Sequence, residues 1–166
     1  WPSRGASSGY LDNCGFKKDG YYFFKSIWTE DPTLHLLPHW NLPENRIGQI
    51  LPVICYTNCD TVELFLNGKS YGEKYHEFPR KGNAERWNKH EEGKVFTSTG
   101  DLHLTWDVPY EPGALIAQGK KDGKEFTYRL VTAGEPAQIK LSIDRSVIKA
   151  DPTDVAHVTA EIVDKE

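Results

Sequence analysis

The chain has no methionine, only three cysteines, and no apolar run approaching the roughly 20 residues that cross a bilayer as a helix. The last absence leaves no candidate membrane-spanning helix, and no membrane partner is expected. The opening Trp-Pro-Ser-Arg does not have the charged and apolar regions of a signal peptide. Cys14, Cys55 and Cys59 are odd in number, so they do not make a closed disulfide framework, and the redox compartment stays open. Positive charge is also scarce. Twenty Lys and Arg stand against 24 Asp and Glu, net −4, which leaves no basic stripe and no expectation of a nucleic-acid partner. A chain that opens on Trp-Pro and stops at Asp-Lys-Glu directly after a strand-like run is expected to be an excised fragment.

Against these absences, 166 residues with 38% apolar and 12% aromatic side chains can bury a real core. The organising stretch is Thr57 to Gly72. Val62, Leu64 and Leu66 alternate with Glu63 and Phe65, the period of a half-buried strand, and Asn67-Gly68 then separates this run from Lys69-Ser70-Tyr71. Asn-Gly suits a two-residue hairpin because both turn positions need positive φ. The spacing therefore predicts a hairpin at the centre of an antiparallel sheet, and Asp122-Gly123 signals a second one.

Residues 1–16 are rich in Gly and Ser, without a period, and read as a loop. Asp19 then precedes YYFFKSIW, where Tyr21, Phe24 and Trp28 recur at helical spacing. A helix over about 17–28 is expected, capped by Asp19 and buried along that stripe; four consecutive aromatics also suit a strand. Either form needs a larger body to pack against. Seven short strands follow, at 34–40, 49–57, 61–66, 69–74, 101–106, 114–120 and 125–132, the pattern of an immunoglobulin-type sandwich. Residues 76–98 form a long polar connection carrying Trp87. Ala133-Gly134-Glu135-Pro136 reads as a linker. Alternation at Ile139, Leu141 and Ile143, then Val155, Val158, Ala160 and Ile162, marks further strands that are marginal alone and must pack, pair between chains or fray.

Candidate chemistry is sparse. His35 and His39, with Cys55 and Cys59, could supply four zinc ligands, but neither spacing is a Cys-x2-Cys knuckle, and no metal or other cofactor is expected. Glycoside hydrolysis needs two carboxylates about 5 Å apart for retention, and no spacing nominates a pair. No Gly-rich phosphate loop or Gly-x-Ser-x-Gly elbow is present. Of five tryptophans, Trp28, Trp40 and Trp106 lie in apolar runs and are expected in the core. Trp87, in the polar connection, is the candidate platform for stacking on a sugar ring.

Longer motifs carry a resemblance. Trp1-Pro2-Ser3-Arg4 and Gly9-x-x-Asp12-x-x-Gly15-Phe16-x-Lys18-Asp19 with Tyr21-Tyr22 resemble the end of the catalytic barrel in bacterial β-galactosidase-like enzymes of glycoside hydrolase family 2. Leu36-Leu37-Pro38-His39-Trp40-Asn41, Tyr56-Thr57-Asn58, Val62 to Ser70, Trp106-x-Val108-Pro109-Tyr110-x-Pro112-Gly113 and Thr132-Ala133-Gly134 are similar to the sandwich that follows that barrel.

The resemblance implies a mainly β chain with three parts. Residues 1–30 would be the barrel's last loop and helix. Residues 31–134 would be an immunoglobulin-like accessory sandwich, and 135–166 a linker and the first strands of a further, truncated domain. It implies that both catalytic glutamates lie upstream of Trp1, so the fragment is expected to be inactive alone, with the parent's barrel as partner. Trp1 and Arg4 would lie nearest a substrate. Gly5, Ala6, Ser7, Ser8 and Lys17 depart from the family's usual residues in a loop that rims its active site, which bears on sugar preference. The parent is expected in the periplasm or outside the cell. A carbohydrate-binding module, and a spacer whose residues 137–166 pair strands between chains, are the alternatives.

Overall fold

The computed structural model describes residues 9–76, 80–81, 97–98 and 102–165. Trp1, Arg4 and Trp87 lie outside the described residues, as does most of the long polar connection. The chain divides into two compact units, Trp1–Val131 and Thr132–Glu166.

The first unit opens with α1 (Asp19–Trp28) and continues through β1 (Leu34–Leu37), a short 3-10 turn at Glu44–Arg46, β2 (Ile50–Thr57), β3 (Thr61–Leu66), β4 (Lys69–Lys74), β5 (Arg80–Lys81), β6 (Thr97–Ser98), β7 (Leu104–Pro109), β8 (Ala114–Lys121) and β9 (Lys124–Val131). Two antiparallel sheets, β1-β2-β7 and β4-β3-β8-β9, form a three-plus-four sandwich of immunoglobulin type, and β5 pairs only with β6 among the described residues. Alternation places the core. Leu36, Val53, Cys55, Leu104, Trp106 and Val108 from one sheet meet Val62, Leu64, Leu66, Leu115 and Ala117 from the other, all buried.

Both sequence-predicted turns adopt the geometry their residues favour: Asn67 and Gly68 have φ of 50° and 82°, Asp122 and Gly123 of 50° and 74°. The first hairpin is not central, however. β3 lies inside its sheet, but β4 is an edge strand. That edge is tied across to the other sheet, where Lys74 Nζ donates to Thr105 O at 2.6 Å and Trp106 Nε1 donates to Gly72 O at 3.0 Å. Such tethers leave less of the edge open to pairing with another chain.

Two strands are displaced from their expected spans. β1 ends at Leu37 because Pro38 has no N–H to offer the ladder. β7 runs later than 101–106, ending at Pro109, which an edge strand tolerates. Trp40, just beyond β1, is still core, only 1% exposed. Its Nε1 donates to Glu111 O at 2.9 Å, and its ring meets Tyr110 edge-on at 5.1 Å.

The second unit holds β10 (Gln138–Ile143) and β11 (Val158–Val163), paired antiparallel with Ile139 opposite Ile162, Leu141 opposite Ala160 and Ile143 opposite Val158. One face of this ribbon is thus apolar, and its large side chains are exposed. Asp144 and His157 close the ribbon: His157 N–H donates to Asp144 Oδ1 at 3.0 Å, and Nδ1 lies 2.8 Å from Oδ2.

Candidate functional site

The feature that departs most from a plain sandwich is α1, which lies on the outer face of the β1-β2-β7 sheet. His35 and Tyr56 are register partners on that face, while the alternate pair, Leu36 and Cys55, turns to the core. Tyr22 stacks on His35 with ring centres 3.9 Å apart, and Phe23 meets Tyr56 edge-on at 5.3 Å. Asp19 Oδ1 is 2.8 Å from His35 Nε2. Ser26 is buried and donates its hydroxyl to Phe23 O at 2.7 Å. The side chains at 19, 22, 23 and 26 therefore form the stripe turned to the sandwich.

This corrects two expectations. Asp19 is the first helical residue and not the cap, which is Lys18 without a side-chain capping bond. Its carboxylate still favours the positive end of the helix dipole while reaching His35. The stripe of Tyr21, Phe24 and Trp28 is not the buried one. Trp28 is 72% exposed, where the sequence predicts core; Trp106, at 3%, is core as expected. Because α1 is apolar on two sides, its period could not tell which side the polar partners on β1 would select.

On the outward side Phe24 lies between Tyr10 at 4.7 Å and Trp28 at 4.6 Å. Leu11 and Phe16 are also exposed on the preceding loop. That loop is held closed by Asp12 Oδ1, which accepts from the N–H groups of Cys14 and Phe16, and by Lys18 N–H donating to Tyr10 O.

The C-terminal end of α1 is fastened by Asn58, in the β2–β3 turn. Its Nδ2 donates to Thr29 O and Asp31 O, both at 2.9 Å, and its Oδ1 accepts from Thr33 N–H at 2.9 Å. Nothing in the period of the sequence singled out this residue; the signal available was an Asn in a turn, a type that bonds nearby backbone readily. Beside it lies a cleft of about 560 Å³ lined by Ser26, Ile27, Asn58, Asp60, His76 and Leu102. Its polar lining serves the fold: Asp60 Oδ2 accepts from Asp122 N–H, and His76 Nε2 lies 3.3 Å from Thr57 O.

The four residues considered for zinc are dispersed. His35 is under α1, His39 is exposed beyond β1, and Cys55 is in the core. Cys59 is buried beside Gly119, where an added Cβ would collide with its sulfur. No group of three or more His, Cys, Asp or Glu suited to a metal occurs among the described residues. Burial pushes the Cys55 thiol up to about 12 and the Cys59 thiol upward as well. Burial, followed by the negative charge of Asp19, raises the Tyr56 hydroxyl; burial is also the main cause at Tyr128, which meets His35 edge-on at 5.3 Å. These groups are held neutral and unreactive, as befits packing.

Comparison with known proteins gives a consistent result. Residues 48–127 match a domain family described as a domain of unknown function, DUF4982. A β-galactosidase of Bacteroides ovatus is 38% identical over 168 aligned residues, covering 100% of this chain and 17% of its own length. Among solved structures, a β-glycosidase from Bacteroides vulgatus superimposes with a TM-score of 0.76 at 35% identity, over 99% of this chain and 18% of that one. A β-glucuronidase from glycoside hydrolase family 2 gives a TM-score of 0.67 at 29% identity, over 95% and 14%. The chain thus spans about a sixth of the length of the first of these relatives. Related along its whole length to enzymes of this kind, the chain belongs to the β-galactosidase and β-glucuronidase family of glycoside hydrolases, family 2, as the counterpart of one small part of them.

Proposed function

We propose that this chain is a non-catalytic accessory region of a retaining family 2 glycosidase that hydrolyses terminal β-galactosides. The reading assigns 1–30 to the closing loop and helix of a catalytic barrel, 31–134 to an accessory sandwich, and 135–166 to a linker and the first strands of a further domain. The catalytic acid/base and nucleophile belong to the barrel. Trp1 and Arg4 stand nearest its substrate; a sugar would stack on Trp87 only if the region were instead a carbohydrate-binding module.

The observation that carries the reading is the match of the whole chain to a small part of much longer glycosidases. Its support is the employment of carboxylates in the sandwich and on α1. Asp19 holds His35, Asp60 accepts from Asp122 N–H, and Glu63 accepts from the Ser70 hydroxyl at 2.6 Å. Each stabilises a turn or a junction.

The test is an assay with a chromogenic β-galactoside and a chromogenic β-glucuronide. The 166-residue chain is expected to leave both intact, while the full-length enzyme containing it cleaves the galactoside. Turnover by the 166-residue chain would overturn the accessory reading, and cleavage of the glucuronide alone by the full-length enzyme would overturn the substrate.

A further inference from the structure

We infer that Asn67-Gly68 is a latent deamidation site: the native fold locks it, unfolding releases it, and its product does not rebuild the native hairpin. It is the one Asn-Gly pair in the 166 residues. Glycine has no Cβ, so in this dipeptide the nitrogen after asparagine is unhindered. The Gly68 nitrogen attacks Asn67 Cγ and closes a five-membered imide, while its proton passes through water to the side-chain amide nitrogen, which leaves as ammonia. Water then opens the imide at one of its two carbonyls and leaves aspartate or a β-linked isoaspartyl residue. Water is the sole co-reactant.

Burial does not protect the pair, since both residues are exposed to water. Geometry does, in two ways. Ring closure needs Asn67 Cβ and the Gly68 nitrogen nearly eclipsed about the intervening Cα–C bond. With φ of 50° and 82° at its two positions the turn is type I′, which sets that bond well away from the eclipse. The side chain is fixed as well. Asn67 Oδ1 accepts from Ala114 N–H at 2.9 Å and Nδ2 donates to Pro112 O at 3.1 Å, with Gly113 packed beneath the amide. Both bonds must break before Cγ can swing over the Gly68 nitrogen. The strand that carries the turn, β3, is paired on both sides, so opening its end disturbs two ladders. None of these restraints exists in the unfolded chain.

The products do not fit the native turn. Aspartate at 67 keeps an acceptor for Ala114 N–H but brings a carboxylate oxygen to Pro112 O, where the amide donates. Isoaspartate runs the main chain through Cβ and lengthens it by one methylene. Leu66 and Lys69 are register partners across the two-residue turn, which has no place for the added carbon. An unfolding event that outlasts ring closure therefore becomes irreversible.

The experiment holds the 166-residue chain at mildly alkaline pH, in buffer and in urea above its unfolding transition, and ends each time point with a pulse of N-ethylmaleimide and digestion by trypsin. The tryptic peptide 47–69 carries Cys55, Cys59 and Asn67 together, so one mass spectrum reports whether a molecule was folded and whether it was deamidated. Conversion at 67 is expected to be at least about tenfold faster in urea, with aspartyl and isoaspartyl forms separated by chromatography. Equal conversion in molecules whose cysteines stay unlabelled overturns the lock, and no conversion in urea overturns the site. After dilution from urea, deamidated peptides should collect in the labelled, unfolded pool; an even spread between pools overturns the bar on refolding. Ala114→Pro removes the N–H that holds Oδ1, at the first residue of a strand, where proline is tolerated. It should raise conversion in unlabelled molecules and leave the rate in urea unchanged. No rise there overturns the side-chain half of the lock, and the wild-type comparison decides the rest even if this variant fails to fold.

Discussion

His35 Nε2 lies 2.8 Å from Asp19 Oδ1, so one contact joins the first turn of α1 to the first strand of the sandwich. The imidazole is nearly buried, its side chain 10% exposed, whereas the carboxylate is 60% exposed. The two partners should therefore answer differently to substitution. His35→Ala, which also removes the stacked partner of Tyr22, is expected to cost about 2–3 kcal/mol in urea unfolding. Asp19→Asn should cost less than about 1 kcal/mol, as exposed pairs do. Equal losses would show that the carboxylate, and not the ring packing, holds the helix.

Asn58→Ala deletes three hydrogen bonds to backbone groups at 29, 31 and 33 and leaves the Thr33 N–H, in a buried residue, without its acceptor. A loss of about 2 kcal/mol is expected. Faster amide exchange in residues 29–33 should accompany it, and a global loss with no local change there would contradict the stapling role.

Asn67 serves two purposes. Its backbone takes the positive φ of the hairpin turn, and its side chain accepts from Ala114 N–H at 2.9 Å and donates to Pro112 O at 3.1 Å. Gly113, at φ 136°, is packed so closely beneath it that an added Cβ would strike the amide. Gly113→Ala should then destabilise by more than about 2 kcal/mol, part of it strain and part collision. In an Asn67→Gly background, which keeps the turn but removes the amide, the same change should cost measurably less. Additive losses in that double-mutant cycle would exclude the collision.

Alkaline stability has a definite sign. The Cys55 thiol ionises near 9 when unfolded and near 12 when folded. Its contribution is complete below the unfolded value and is lost as pH rises from about 9 to about 12, at up to about 1.4 kcal/mol per pH unit from this group. Cys59, Tyr56 and Tyr128 are raised also and act in the same direction. At pH 8 a thiol reagent should modify exposed Cys14 promptly and the two buried cysteines only on unfolding. In acid the second unit is the one affected. The hydrogen bond from His157, foremost, holds Asp144 below its usual range, and bonds from Thr153 do so for Asp151. That stabilisation is present above the ordinary carboxylate value and fades as pH falls through the lowered one, which NMR of the β10–β11 ribbon would follow.

Sugar binding by the sandwich is read most simply by tryptophan fluorescence. A titration with galactosides is expected to be flat in the accessory reading. Saturable quenching that disappears in Trp87→Ala would instead make this region a binding module.

Most of the sandwich was legible in the sequence. Strict alternation at Val62, Leu64 and Leu66 assigned the inward face of β3, and Asn-Gly and Asp-Gly placed two turns, because both signals act over a few residues and depend on local sterics. Five of the seven sandwich strands begin and end within a residue of their expected limits. The ends of β1 and β7 were less so, since Pro38 and Pro109 count differently at an end, an edge or a centre, and position in a sheet is not a local property.

What the sequence determined by itself is the period of each element, the turn chemistry and the family resemblance, all written in short-range patterns. Only the tertiary structure decided which side of α1 meets the sandwich. Tyr21, Phe24 and Trp28 make as good an apolar stripe as Tyr22 and Phe23, so hydrophobicity alone left two solutions. The choice came from a partner 16 residues away, where the His35 ring has Nε2 2.8 Å from the carboxylate of Asp19 and stacks on the ring of Tyr22. A directional polar contact of that kind exists only once two separate elements are brought together.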